Sequence, residues 1–330
     1  MRQLIYFPGF EIPDLNWLKF ALLYFDKLRP IVPEELMGKP PISKEYMKKV
    51  CDETDLIDYY TPRWHEITAA SRTAEEYIKY LLDHSDEGML SRWREQQGQN
   101  VYLYRGKIAG TFPQMCIDEK LAIKHSGGLL MTKELSFAYM SILAKSVAEN
   151  AGIDMITDDR QAATCVKEAD LLSNKYSGRE VDVARAEIEF FLPRNLNDIS
   201  IDEIISLRMQ AGFSDIRVAF MEKIKDIVVM QDRGEVVDVH SALQSYYDEI
   251  LAVFKSVFQT AFPIIATVSG FHTLNSDPTE NAMIDFTGDA IDKYHESRTT
   301  ISQLKKSIDN FSKKKKCRKF IAEISQFNNR

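Results

Sequence analysis

Residues 4–33 read LIYFPGFEIPDLNWLKFALLYFDKLRPIVP, and their pattern decides the fold class. Leu4-Ile5-Tyr6-Phe7 is a short apolar run closed by Pro8 and Gly9. Its length and aromatic content predict a buried strand. Pro13 and Asp14 form a helix entrance, with Asp14 placed to cap free backbone N–H groups. Leu15, Leu18, Leu22 and Phe25 then recur at helical spacing, flanked by a second stripe of Trp17, Ala21, Tyr24 and Leu28. Lys19, Asp26 and Lys27 are the residues here that want water. Pro30 ends the helix, and Ile31-Val32-Pro33 reads as a second strand. A strand, a helix and a strand at this spacing predict a parallel pair with a crossover helix. Burial at about 1.5–3 kcal/mol per large apolar side chain makes the stretch a strong local nucleus.

The same residues carry a resemblance. Tyr6-Phe7-Pro8, Trp17-Leu18-Lys19, Leu23-Tyr24-Phe25-Asp26 and Ile31-Val32-Pro33 together resemble the start of an uncharacterised bacterial family. Its members occur in neighbourhoods associated with phage defence and mobile elements. The resemblance implies a bacterial cytoplasmic setting and names no reaction.

Outward from this nucleus, 330 residues hold one large domain or two ordinary ones, and sparse Gly and Pro favour helices over a sandwich or barrel. No signal peptide is read at the start of the sequence. Cys51, Cys116, Cys165 and Cys317 lie far apart and match no metal-ligand spacing, so reduced thiols in a cytoplasm are expected. The net charge of −7 hides an asymmetry. Residues 305–330 hold nine Lys or Arg against Asp309 and Glu323, a local +7 that leaves −14 on the rest. An acidic body with a basic tail fits local nucleic-acid contact, or docking on an acidic surface.

Further along, Ser43 is read as the cap of a helix to Asp52, Leu56–Tyr60 as a strand, and Trp64–Leu82 as a helix. Val101–Tyr104, Met115–Ile117 and Leu121–Ile123 read as strands, with a break at Gly127-Gly128. Thr132 caps a long helix ended by Gly152; Ile153–Thr157 is a strand, Arg160–Leu172 a helix, and Glu187–Leu192 a strand. Beyond Pro193 the pattern turns helical. Ser200 and Glu203 form a capping box, stapled by Ile199 and Ile204. Helices are expected over 200–210, 214–231, 236–260, 279–309 and 312–327. The fold expected is therefore an α/β N-terminal domain with a mostly parallel sheet (1–195), followed by an all-α C-terminal domain with a basic tail (196–330).

Three stretches carry candidate chemistry. Thr157-Asp158-Asp159 ends a strand, where ligands and Mg²⁺ or Mn²⁺ sit in parallel sheets. Glu134 joins them if its helix begins at the same edge, although a helix antiparallel to its strand is read as placing it at the opposite end. The arrangement is similar to the carboxylate cluster of PIN-type nucleases. Those proteins also need an Asp after the first strand, where this chain has Phe7-Pro8-Gly9. The competing reading is that Asp158 or Asp159 caps the next helix. The second stretch is Lys313-Lys314-Lys315-Lys316-Cys317-Arg318-Lys319, whose charge suits phosphates or an acidic partner. The third is residues 256–276, free of Asp, Glu, Lys and Arg. It is read as a buried helical hairpin or a protein–protein face, since Gln259, Pro263 and His272 interrupt any membrane span. Phosphate-binding glycine loops and a nucleophile elbow are absent from the sequence.

The function expected is an interaction component of a bacterial defence assembly. It contacts a protein partner or a second copy through its helical half, and nucleic acid through its tail, with no cofactor and no membrane. The alternative is a divalent-metal nuclease using Asp158, Asp159 and Glu134.

Overall fold

The structure is a computed structural model that describes residues 3–36, 40–83, 87–94, 100–159, 162, 165, 186–193, 196–233, 235–258, 264–271 and 283–285. Its centre is a six-stranded sheet. β1 (Gln3–Tyr6) is followed by α1 (Leu15–Tyr24) and β2 (Lys27–Pro30), and β1 pairs in parallel with β2. Asp14 caps α1 as expected, its carboxylate accepting from Asn16 N at 2.7 Å and Trp17 N at 3.0 Å.

The second strand starts earlier than the sequence suggests. Phe25 already has extended backbone (φ −98°, ψ 142°), so α1 stops at Tyr24 and the strand is 27–30 rather than 31–33. The Arg208 guanidinium explains the stop. It donates to Leu22 O at 2.8 Å, Phe25 O at 2.7 Å and Asp26 O at 2.7 Å, satisfying carbonyls that the helix end leaves free. Lys19 and Asp26, expected to seek water, are 2% and 4% exposed. Lys19 donates to Leu196 O at 2.7 Å, and Asp26 pairs with buried Arg217 at 3.3 Å. A spacing pattern cannot reveal partners that lie 177 and 191 residues further along the chain.

Residues 56–60 run beside β2 through parallel bridges at Ile57 and Tyr60 rather than as a full strand. α2 (Glu45–Glu53) draws no cap from Ser43. Instead the Glu11 carboxylate accepts from Ser43 N, Ser43 Oγ (2.8 Å) and Lys44 N (2.8 Å).

α3 (Trp64–Asp83) and α4 (Glu87–Arg94) lead to a small antiparallel sheet of order β3-β5-β4. Its strands are β3 (Asn100–Leu103), β4 (Ala122–His125) and β5 (Gly128–Thr132). Residues 115–117, expected as a strand, belong to α5 (Phe112–Asp118), which buries Phe112 and Cys116 one turn apart and holds Pro113 in its first turn. Ser126 (φ 43°) and Gly127 (φ 88°) make the tight turn between β4 and β5. At Gly128 a Cβ would lie 2.3 Å from Leu103 O, so only glycine lets β3 close on β5 there.

α6 (Lys133–Ala151) is capped by the Thr132 hydroxyl and ends at Gly152 in the left-handed conformation (φ 64°), as read. β6 (Asp154–Thr157) then lies parallel to β1 on the side away from β2. β7 (Ala186–Leu192) precedes α7 (Ile201–Arg208), α8 (Ala211–Asp232) and α9 (Val239–Phe258). The capping box at Ser200 is present.

The expectation of an all-α second half does not hold. β8 (Ile264–Phe271) and β9 (Met283–Asp285) complete the sheet in the order β2-β1-β6-β9-β8-β7. β9 is parallel to β6, while β8 runs antiparallel to β9 and to β7. The uncharged stretch is thus partly a strand. Ile264, Ile265, Thr267 and Val268 are β-branched, and a strand with neighbours on both sides has no need of the alternation that marks a half-exposed one. The boundary expected at 195 falls between strands of one sheet.

The sheet divides the core in two. Leu4, Tyr6, Leu28 and Ile156 join α1, α2 and the α7–α9 helices on one face. Ile5, Phe7, Ile31 and Met155 join α3, α5 and α6 on the other. Side chains that alternate between two packed faces explain why β1 reads as an unbroken apolar run. Tyr24 fastens α1 to β7: its hydroxyl donates to Phe191 O at 2.5 Å and accepts from Phe191 N at 3.1 Å.

Candidate site at the carboxyl edge of the parallel strands

β1, β2, β6 and β9 end at the same edge, where open parallel sheets place ligands. Asp158 follows β6 directly and accepts from the Tyr6 hydroxyl at 2.8 Å. Burial, aided by the Asp159 charge, pushes the Asp158 carboxyl up to about 6, with the Tyr6 hydrogen bond working against that rise. Burial, and then Asp158, push the Tyr6 phenol well above its ordinary range.

Asp159 makes one hydrogen bond of the kind the competing reading expected, while the helix expected over residues 160–172 lies, apart from Ala162 and Cys165, outside the described residues. Its Oδ1 accepts from Ala162 N at 3.2 Å, and its own N–H donates to Thr157 Oγ1 at 3.1 Å. Its Oδ2 lies 3.6 Å from Lys133 Nζ. That contact corrects the sequence geometry. A helix antiparallel to the strand that follows it begins at that strand's carboxyl end, so α6 starts at this edge rather than opposite. Glu134 nevertheless does not join the two aspartates. Its carboxylate pairs with Arg92 of α4 at 3.2 Å.

The three carboxylates therefore have three different partners. Among the described residues, no group of three or more His, Cys, Asp and Glu side chains is placed to hold a metal ion. Asp158, Asp159 and Glu134 do not converge on one point among the described residues. One residue escaped the sequence reading: Asp285 is paired in register with Thr157 at the carboxyl end of β9. The signal was the Met-Ile pair shared by the two strands, Met155-Ile156 and Met283-Ile284, each followed by a polar residue at the edge.

A second group meets at the carboxyl ends of β1 and β2. Phe10 and Tyr104 pack with ring centroids 6.1 Å apart, and Lys107 Nζ lies 5.4 Å from the Phe10 ring centre. Gly106 N donates to Glu35 Oε1 at 3.0 Å. A Cβ at Gly106 would lie 2.2 Å from Glu35 Oε2 and 3.1 Å from Glu34 N, so glycine permits this turn to rest on the loop after β2. Burial pulls the Lys107 ammonium down to about 7, with Glu35 working weakly the other way.

The basic run Lys313, Lys314, Lys315, Lys316, Arg318 and Lys319 lies outside the described residues. No helix among the described residues is long and apolar enough to cross a membrane. Comparison with protein-family models, curated proteins and solved structures finds no match.

Proposed function

We propose that this chain is an interaction component, which binds a second copy of itself or a protein partner through the helices of residues 201–258. In the setting implied by the resemblance of residues 4–33, that assembly serves bacterial defence. One observation carries the reading. Of the six large apolar side chains exposed among the described residues, Met209, Met230, Val236 and Val257 belong to this helical segment. Ring contacts Phe213–Phe254 and Phe220–Tyr247 set α8 against α9 as an antiparallel pair. Met209 and Val257 thus sit at one end of the pair, and Met230 and Val236 at the other. The pair at each end offers apolar surface that a partner would cover. The acidic body and basic tail add a charge term that salt would screen.

Light scattering across a concentration series tests this directly. The expected result is a concentration-dependent dimer, or a stoichiometric complex with a co-purified protein, lost in Met209→Asp/Val257→Asp while helicity is kept. A strict monomer at high concentration with no bound protein overturns it. The metal-nuclease alternative has less support, because Asp158, Asp159 and Glu134 face separate partners. With Mg²⁺ or Mn²⁺ present, wild type and Asp158→Ala are expected to show the same background cleavage.

A further inference from the structure

We propose that the outer face of the small antiparallel sheet binds single-stranded nucleic acid, its bases lying on a stripe of four rings: Phe10, Tyr104, Tyr102 and His125. The two faces of that sheet differ in what covers them. Leu103, Leu129 and Met131 point into the core shared with α3, α5 and α6. Cross-strand partners share a face, so Tyr102, Leu130 and Ile123 form a row on the other side, with Leu130 in register with both. The uncovered face of an antiparallel sheet is ordinarily polar. Here Ile123 is 52% exposed, His125 is exposed, and Tyr102 and Leu130 are half-buried.

The rings continue this row in both directions. Centroids lie 6.1 Å apart for Phe10 and Tyr104, 4.8 Å for Tyr104 and Tyr102, and 5.9 Å for Tyr102 and His125. Their planes meet at 57°, 73° and 82°, so no ring covers its neighbour flat. Gly128 makes room for the stripe, since a Cβ there would lie 2.9 Å from Cε2 and Cζ of Tyr102. The Tyr102 hydroxyl donates to Ser126 O at 3.1 Å, which holds the ring over the turn between β4 and β5. Rings fixed in this way stack bases of any sequence, and unpaired bases are the ones that offer their faces. Charge favours a nucleic acid over a protein. Residues 100–110 and 120–133 hold no Asp or Glu, in a chain of net charge −7. Glu35, which reaches this region from the loop after β2, is engaged by Gly106 N. Arg105 follows Tyr104, and Lys124 lies between Ile123 and His125; both are exposed beside the stripe, where they suit the phosphates of a strand lying on the rings.

Fluorescence anisotropy of the full chain with labelled oligouridine and oligothymidine of about 12 nucleotides tests this. Both are expected to bind, since rings and phosphates serve either sugar. Affinity should fall about tenfold in Tyr102→Ala and in Tyr104→Ala, and be kept in Tyr102→Phe, which retains the ring. Arg105→Gln/Lys124→Gln should lower the slope of log affinity against log salt by about 1.4, the share of two phosphate contacts on a single strand. Ultraviolet crosslinking of wild type should attach uridine at Tyr102 or Tyr104, a result that does not depend on whether any variant folds. Crosslinks confined to residues 305–330, or equal affinity in wild type and a folded Tyr102→Ala, overturn the site and move the contact to the basic tail. No binding at low salt also overturns it and leaves the ring face to a protein partner.

Discussion

Asp158 shows how one side chain changes meaning between sequence and fold. Next to Asp159 at a strand end it reads as half of a metal site, but beside the Tyr6 hydroxyl it is a half-buried carboxyl that resists ionising. The pH consequence follows from the direction of the shift. The folded state holds this proton up to about pH 6 and the unfolded chain loses it near 3.8, so ionisation costs stability as pH rises from about 4 to 6. Asp158→Asn keeps an acceptor for Tyr6 and removes that cost. The variant should be more stable than wild type at pH 7.5 by about 1–2 kcal/mol, with the gap closing below pH 4. Urea unfolding at both pH values checks this, and a gap that stays constant with pH would reject it. The partners of Lys19 and Asp26 were not legible in the sequence, because Leu196 and Arg217 reach them only through the folded chain.

At the scale of elements, the end of α1 depends on a residue far along the chain. Arg208 closes the carbonyls of Leu22, Phe25 and Asp26, and also pairs with Asp55 Oδ1 at 3.2 Å. Its burial pulls even a guanidinium down to about 10. Arg208→Met leaves those carbonyls without donors and should destabilise the protein by about 3 kcal/mol. Arg208→Lys should recover little, since one ammonium cannot reproduce the fork that meets three carbonyls at once. Chemical denaturation of the two variants measures this; full rescue by lysine would show that charge alone suffices. The helices with local signals were read almost to the residue: Thr132 to Gly152 for α6, and Ser200 with Glu203 for α7. Elements without such punctuation were misread. The apolar residues of α5 resemble a strand in so short a window, and β8 lies in an uncharged run that periodicity alone does not assign.

For the whole molecule, β9 lies beside β6, and one core cluster unites α1 with α7, α8 and α9. A fragment ending at residue 195 would therefore uncover Trp17, Phe20, Tyr24 and Phe190 and leave β6 without its neighbour β9. We expect that fragment to lack a cooperative thermal transition, while the full chain keeps one for its sheet and helices. A sharp transition from the fragment in circular dichroism would show that the first 195 residues fold alone. The sequence by itself determined what depends on neighbours in the chain: the strand and helix of residues 4–24, the capped helices, the turn at Gly127 and the parallel start of the sheet. Only the tertiary structure decided that strands from the second half complete that sheet, that Arg208 ends α1, and that Asp158, Asp159 and Glu134 face three different partners. Local patterns record how a segment buries its own face. Which strand becomes a neighbour, and which charge meets which, depends on contacts between residues on different elements, from 26 positions apart for Lys133 and Asp159 to 186 for Leu22 and Arg208, and such contacts leave no period in the sequence.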